Sequence, residues 1–274
     1  MAVVIETGFF GAVFPMDHGR VCWSRFATGT VTATGAAAGF AASNAGNIRT
    51  DSAWRPDAAT GNWSRVFSSA QEVSFVGVAN HDLGTQGATV AVEYTNDGGS
   101  TWTAFAGLSA SPADDGPLLF LMAPRSVDGV RLVISAATAA PTISVIAVGE
   151  ADEWPRPFMW TGEPLSEGDR IGFDNTISLT GNWLGRTVTS DGLQFDLTMN
   201  NAPETWRQTD FAAFKAYAND GEAAFFIAVR PTVDYLNEVS FAWLTDTAKA
   251  SRELPNRRVS TSVTISCQGL RQYG

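Results

Sequence analysis

Apolar and polar positions alternate with a period of two along residues 89–95. Val90, Val92 and Tyr94 share one face, and Ala91 and Glu93 share the other. That spacing predicts a half-buried β-strand. Asn96-Asp97-Gly98-Gly99 follows. Gly and Asx tolerate the positive φ of a tight turn, so the chain is expected to fold back there, with Trp102 opening the return strand. Short apolar runs at residues 73–78, 118–122, 129–135 and 143–148 predict further strands at the spacing of a sandwich. No stretch of this half has the period of an amphipathic helix.

The pattern changes at residues 150–164, where Asp152, Glu153, Pro155, Pro157 and Pro164 crowd around Trp154 and Trp160. Prolines fix φ and remove donors, which predicts a linker whose tryptophans pack on a neighbour. Beyond it, residues 170–179 predict a strand. A hairpin is expected next: residues 186–189, a turn at Ser190-Asp191-Gly192, then Leu193, Phe195, Leu197 and Met199 on one face. Residues 209–219 predict the best helix of the chain, capped by Thr209, striped by Phe211, Phe214 and Ala218, and stopped at Asp220-Gly221. Residues 224–229, 239–244 and 259–267 predict further strands. The expected organisation is a docking arm over residues 1–24, with Phe9, Phe10, Phe14 and Pro15, then a β-sandwich over 25–150. The linker follows over 151–164, and a β domain with one helix over 165–274.

Composition fits this mainly β reading. Of 274 residues, 45% are hydrophobic and 17% charged, enough for a large core and too little charge for disorder. The net charge of −10 repels phosphate backbones and argues against nucleic-acid binding. Cys22 and Cys267 are too few for a disulfide framework or a Cys-rich zinc site, and Cys267 continues the alternation of Val259, Val263 and Ile265 as a buried hydrophobe. The first residues lack a basic leader segment, and no run reaches the roughly 18 apolar residues of a membrane span. The expectation is a soluble chain made in the cytoplasm.

Candidate chemistry is sparse. Two histidines, His18 and His81, are few for a metal centre or a catalytic triad, and no Gly-x-Ser-x-Gly elbow occurs. His81-Asp82 reads as a hydrogen-bonded turn pair. Asp114-Asp115 and the acids Glu150, Asp152 and Glu153 read as solvated loops, with calcium as an alternative. No metal, no cofactor and no catalytic residue is expected, and hence no enzyme. Residues 95–102, Thr-Asn-Asp-Gly-Gly-Ser-Thr-Trp, resemble the Asp-box hairpin of sialidases and other β-propellers. A propeller repeats that motif, and here it occurs once. Asp97, Gly99, Thr101 and Trp102 are therefore read as a structural turn. Trp54, Arg55, Trp63 and Arg65, with Asp57 and Asn62 nearby, form the kit of a sugar platform, in which rings stack on pyranose faces and polar groups take hydroxyls. The alternative is that Trp54 and Trp63 plug the sandwich end.

Ala41-Ala42-Ser43-Asn44-Ala45-Gly46-Asn47, then Thr50-Asp51-Ser52-Ala53-Trp54-Arg55-Pro56, the strand from residue 73 to Asn80-His81, and the strand ending at Trp102 resemble the galactose-binding-like (discoidin-type) β-sandwich. The likeness covers roughly residues 25–150, without that family's disulfide. With Asn80-His81-Asp82-Leu83-Gly84 it is similar to sandwich modules of tailed-bacteriophage tail and baseplate proteins. The second half, with Trp206, the helix and Phe225-Phe226-Ile227-Ala228, resembles the tail-tube-like domain of phage tail-tip proteins, although the usual distal tail protein places that domain first. The resemblance implies a structural subunit of a siphophage-like tail tip, located in the virion, joined to other tail proteins and to copies of itself in a ring. A carbohydrate-binding module for a host surface glycan is the alternative, and a glycoside hydrolase a more distant one.

Overall fold

Two long strands, β4 (Gly61–His81) and β7 (Leu118–Ser135), run antiparallel through the first half of the computed structural model. The structure describes residues 2–9, 17–23, 28–159, 169–220, 223–232, 236–253 and 260–270. Phe10, Phe14, Pro15, Trp160, Pro164, Gly221 and Val259 lie outside the described residues. The first part of β4 and the last part of β7 sit in the order β3-β4-β7-β5-β6, with β3 (Thr30–Ala33), β5 (Thr89–Thr95) and β6 (Thr103–Ala110). The other ends of the same two strands lie beside β8 (Ile143–Gly149), which pairs with β4, and β1 (Ala2–Ile5), which runs parallel to β7. Register shifts after Val66 and Val73 separate the two parts. Side chains from both parts meet in one core, Trp63, Phe67, Val130 and Leu132 against Val76, Val78, Phe120 and Ile146. The result is a β-sandwich whose layers are joined by strands that pass from one to the other.

The second half forms a separate sheet in the order β10-β11-β15-β13-β12-β2-β9. Its strands are β2 (Arg20–Cys22), β9 (Asp152–Glu153), β10 (Asp169–Ile177), β11 (Trp183–Met199), β12 (Phe225–Ala228), β13 (Val239–Leu244) and β15 (Ser260–Gly269), with β14 (Lys249–Glu253) beside β15. One face carries the helical segment: a turn α1 (Glu204–Trp206), a π-helical turn over Arg207–Phe211, and α2 (Ala212–Ala218). Under it, Trp154 packs its ring against Phe158, Trp206, Phe211 and Phe214 at centroid distances of 4.8–6.1 Å. A linker tryptophan is therefore the hub of the second core.

The other face of this sheet packs on the sandwich. Phe226, Ala228, Val239 and Phe241 meet Phe75, Ala79, Leu119, Leu121, Val145 and Ala147 in a third core. This explains the uninterrupted apolar runs: strands buried on both faces need apolar side chains at every position. Along β8 all seven residues are buried. Gly77 permits the close approach, because a Cβ there would lie 2.6 Å from the Phe226 ring.

Several expectations change. The arm at residues 1–24 is built into both sheets through β1 and β2, and Val3 N–H donates to Leu236 O (2.6 Å) across the seam. Pairing β1 parallel to a strand more than a hundred residues away leaves no local pattern to read. Asp152 and Glu153, expected in a linker, extend the second sheet against β2. Ser190-Asp191-Gly192 is no turn. It lies within β11, and the register slips beside it, between Gly172↔Ser190 and Phe173↔Val188. The same small and Asx residues that permit a turn also permit a bulge. The chain reverses instead at residues 178–182, where Asn182 N–H donates to Ser178 Oγ (3.0 Å). The helix starts at Glu204 after Pro203, so Thr209 does not cap it. Its hydroxyl lies 3.0 Å from Thr205 O, one turn back within the helix.

Candidate functional site

Trp54 and Trp63 are fully buried, so neither offers a ring face to a sugar. Trp54 Nε1–H reaches Gly35 O (3.4 Å), and Trp63 Nε1–H donates to Ala42 O (3.0 Å). Both are plugs, one of the two readings the sequence left open, and the sugar-platform reading of them is corrected. Arg65 is buried with them, its guanidinium 5.3 Å from the Trp63 ring centre and donating to Gly46 O. Burial holds its pKa below the ordinary value. Arg55 is half-buried and lies over the Phe40 ring at 4.4 Å. The four predicted residues thus brace the loop over residues 35–56.

The alternation of β4 decides between the two readings. Trp63, Arg65 and Phe67 point inward, and Asn62, Ser64 and Val66 point outward. The outward set faces a depression of about 360 Å³ that also takes in Thr32, Trp102 and Arg131. Trp102 reaches it through the hairpin turn. Asp97 Oδ1 accepts the Thr101 N–H (2.9 Å) and the Thr95 hydroxyl (2.6 Å), and Oδ2 accepts the Thr101 hydroxyl (2.6 Å). The Thr101 and Thr95 donors hold the Asp97 carboxyl well below the usual carboxylate range. Gly98 and Gly99 take positive φ, and Trp102 Nε1–H donates to Gly99 O (3.1 Å), fixing the indole.

The half-buried Trp102 ring lies over the Arg131 guanidinium at 4.7 Å. Arg131 in turn binds Glu93 Oε2 through Nε (2.7 Å) and Nη2, so the local charge is balanced. Asn62 uses its backbone N–H on Thr34 Oγ1 (2.8 Å), and its carboxamide has no protein partner among the described residues. Thr32 and Ser64 hydroxyls lie 2.8 Å apart on the same face. An amphipathic ring beside a free amide, hydroxyls and a neutralised arginine is suited to an uncharged polyhydroxylated ligand. Trp102 stood in the sequence as a turn residue. Asn62, Ser64 and Arg131 were readable only from strand parity.

The other candidates are occupied by structural work. His81 is buried, and its Nδ1 accepts the Leu83 N–H (3.3 Å). Asp82 accepts the Thr142 N–H (2.6 Å) and Gln86 Nε2–H (3.2 Å), so the two residues brace the turn separately. Asp115 takes the Thr85 N–H (2.9 Å) and hydroxyl (2.6 Å), and Asp114 the Gly116 N–H (2.9 Å). Glu153 pairs with Arg20 (3.1 Å) and His18 (3.1 Å). Cys22 and Cys267 are buried and not bonded to each other, and burial raises both thiol pKa values. Among the described residues no group of three or more His, Cys, Asp or Glu is placed to hold a metal ion, and no helix is long and apolar enough to cross a membrane.

No family model matches the chain, and no curated protein matches it. Solved structures do. One is the chitosan-binding module 1 derived from a chitosanase/glucanase of Paenibacillus sp. IK-5, at 19% identity over 46% of this chain and 97% of the module, with a TM-score of 0.39. The family 32 carbohydrate-binding module of NanJ from C. perfringens, in complex with galactose, matches at 17% identity over 44% of this chain and 93% of that one, with a TM-score of 0.37. A putative alpha-L-fucosidase from Bacteroides thetaiotaomicron matches at 17% identity over 46% of this chain and 28% of its own, with a TM-score of 0.38. Likenesses this distant, over less than half the chain, leave ligand and activity open.

Proposed function

We propose that this chain binds a carbohydrate on the outer face of its sandwich, without a chemical step. One observation carries the reading: Trp102, held half-buried over Arg131, borders a depression of about 360 Å³ with the Asn62 carboxamide and the Thr32 and Ser64 hydroxyls. The apolar face of a pyranose stacks on the indole, and its hydroxyls exchange hydrogen bonds with Asn62 and with Arg131 Nη1, which carries no protein bond among the described residues. The Glu93–Arg131 pair cancels charge and favours neutral sugars. A glycan array followed by calorimetric titration tests this. Asn62→Ala and Trp102→Ala are each expected to weaken binding about tenfold or more, the worth of one good contact. Wild-type protein that retains no glycan, or variants that bind as well as wild type, would end the reading.

A second reading, a subunit that associates with copies of itself as the tail-tip resemblance implies, starts from a different observation. The β10–β11 ribbon leaves Ile177, Leu179, Trp183, Leu184 and Val188 exposed. A two-stranded ribbon is marginal alone in water, and exposed apolar patches mark protein contacts. This reading expects self-association in light scattering that Leu179→Ser with Trp183→Ser abolishes. A wild-type monomer at about 100 μM, a concentration far above the Kd of ordinary specific interfaces, would count against it.

A further inference from the structure

The groups around the outer depression stand in one row across the sheet. Thr32 of β3 pairs with Ser64 of β4, Ser64 with Arg131 of β7, and Arg131 with Glu93 of β5. Residues paired directly across antiparallel strands point to the same face. Adjacent strands lie about 4.8 Å apart, so the backbone anchors of Thr32 and Arg131 are about 10 Å apart. We propose, on the carbohydrate reading of this face, that the row is a track for a chain of two or more neutral sugar rings. One ring stacks on Trp102, and the next lies over β4 and β3.

The two ends of the row differ in chemistry. At one end the Arg131 guanidinium leans toward β5, where Nε reaches Glu93 Oε2 (2.7 Å). The Trp102 indole lies over that guanidinium at 4.7 Å. It is the one aromatic ring lining the depression among the described residues. The other end has hydroxyls and an amide. Thr32 and Ser64 Oγ lie 2.8 Å apart and share one hydrogen bond, which leaves lone pairs to accept from a sugar hydroxyl. Asn62, two residues along β4 from Ser64 and so about 7 Å away, adds its carboxamide. A pyranose seated on the indole is a strand spacing or more from these groups. A second ring joined to the first brings both ends into use.

The shape of the depression also suits a chain. The hairpin turn walls one side. Gly98 and Gly99 take positive φ, and the turn reaches as far as β4, where a Cβ on Gly99 would lie 3.3 Å from Val66 Cγ2. The end at β3 has no such wall. β3 is the edge strand of its sheet, with no strand paired beyond it among the described residues, and Thr32 is exposed. A chain that stacks one ring on Trp102 can therefore continue past Thr32 and off the sheet.

Calorimetric titration of the full chain with neutral β-1,4-linked sugars tests the proposal. The probes are the monosaccharide, disaccharide and trisaccharide of glucose, of mannose and of galactose. In a series that binds, the trisaccharide is expected to bind about tenfold or more tightly than its monosaccharide, with most of the gain at the second ring. Trp102→Ala should weaken every length. Thr32→Val keeps a β-branched residue at an exposed edge position, so the melting temperature should hold. It should weaken the trisaccharide about tenfold and shrink its advantage over the monosaccharide. A monosaccharide that binds as tightly as its own trisaccharide, or an unaltered length dependence in Thr32→Val, would overturn the track and leave a one-ring site at Trp102. Failure of every probe to bind would also overturn the track, and the glycan array decides separately whether the outer face holds any sugar.

Discussion

Between Gly61 and Phe67, β4 buries every second residue, and between Val73 and Ala79 it buries all seven. The same strand therefore has two kinds of surface. Its first part has a solvent face, which carries Asn62 and Ser64 beside Trp102. Its second part has the second sheet pressed against its outer side, with Phe226 seated over Gly77. A binding face survives only where the second sheet does not reach. Position within a strand decides which side chains are available to a ligand, whatever their chemical suitability.

The largest effects are expected where the sheets meet. Phe226→Ala removes a fully buried ring and should cost about 3–5 kcal/mol. Gly77→Val drives side-chain atoms into that ring and should cost about 1–3 kcal/mol or more. Because the third core joins the two units, wild type is expected to melt in one calorimetric transition and Phe226→Ala in two. Two transitions in wild type would mean that the shared core does not couple the units.

The strands were legible because their signals are local. The alternation at residues 89–95 and the apolar runs at 118–122 and 143–148 fall within β5, β7 and β8. The runs also held a second message, since uninterrupted burial implies a cover on both faces. The site was not legible for a related reason. Trp63, Arg65 and Phe67 alternate with Asn62, Ser64 and Val66, and parity alone divides the sets without saying which faces inward. Trp63 and Phe67 fill the core, and Arg65, sharing their face, is drawn in and held by the Gly46 carbonyl. Chemical character left the tryptophans open as ligands or plugs, and packing made them plugs.

A smaller effect tests the end of the sealed part of β4. Burial lowers the His81 pKa from 6.5 to about 4, against the opposing influence of Asp115. The unfolded chain takes up its proton first, so the stability contributed by neutral His81 is complete above about pH 6.5 and lost as pH falls toward 4. The loss should reach at most about 3 kcal/mol. Urea unfolding at pH 7, 5.5 and 4.5 measures it, and His81→Gln should flatten the dependence over that window. A wild-type curve no steeper than the variant's would show that the imidazole is not sealed from solvent.

The smallest effect is the sharpest test of the contrast within β4. Ser64→Ala and Asn62→Ala change outward, solvent-facing positions, and each should move the unfolding free energy by no more than about 0.5 kcal/mol. Trp63→Ala, between them in sequence, should cost about 3–5 kcal/mol because its ring is fully enclosed. Equilibrium urea unfolding of the three variants reads this directly. If the outward pair cost as much as Trp63, the face that carries them would be packing against something other than water, and the depression beside Trp102 would be an interface in place of a ligand site. If instead all three were nearly neutral, the loop over residues 35–56 would be able to open and expose the indoles, which would return Trp54 and Trp63 to the set of ligand-facing residues.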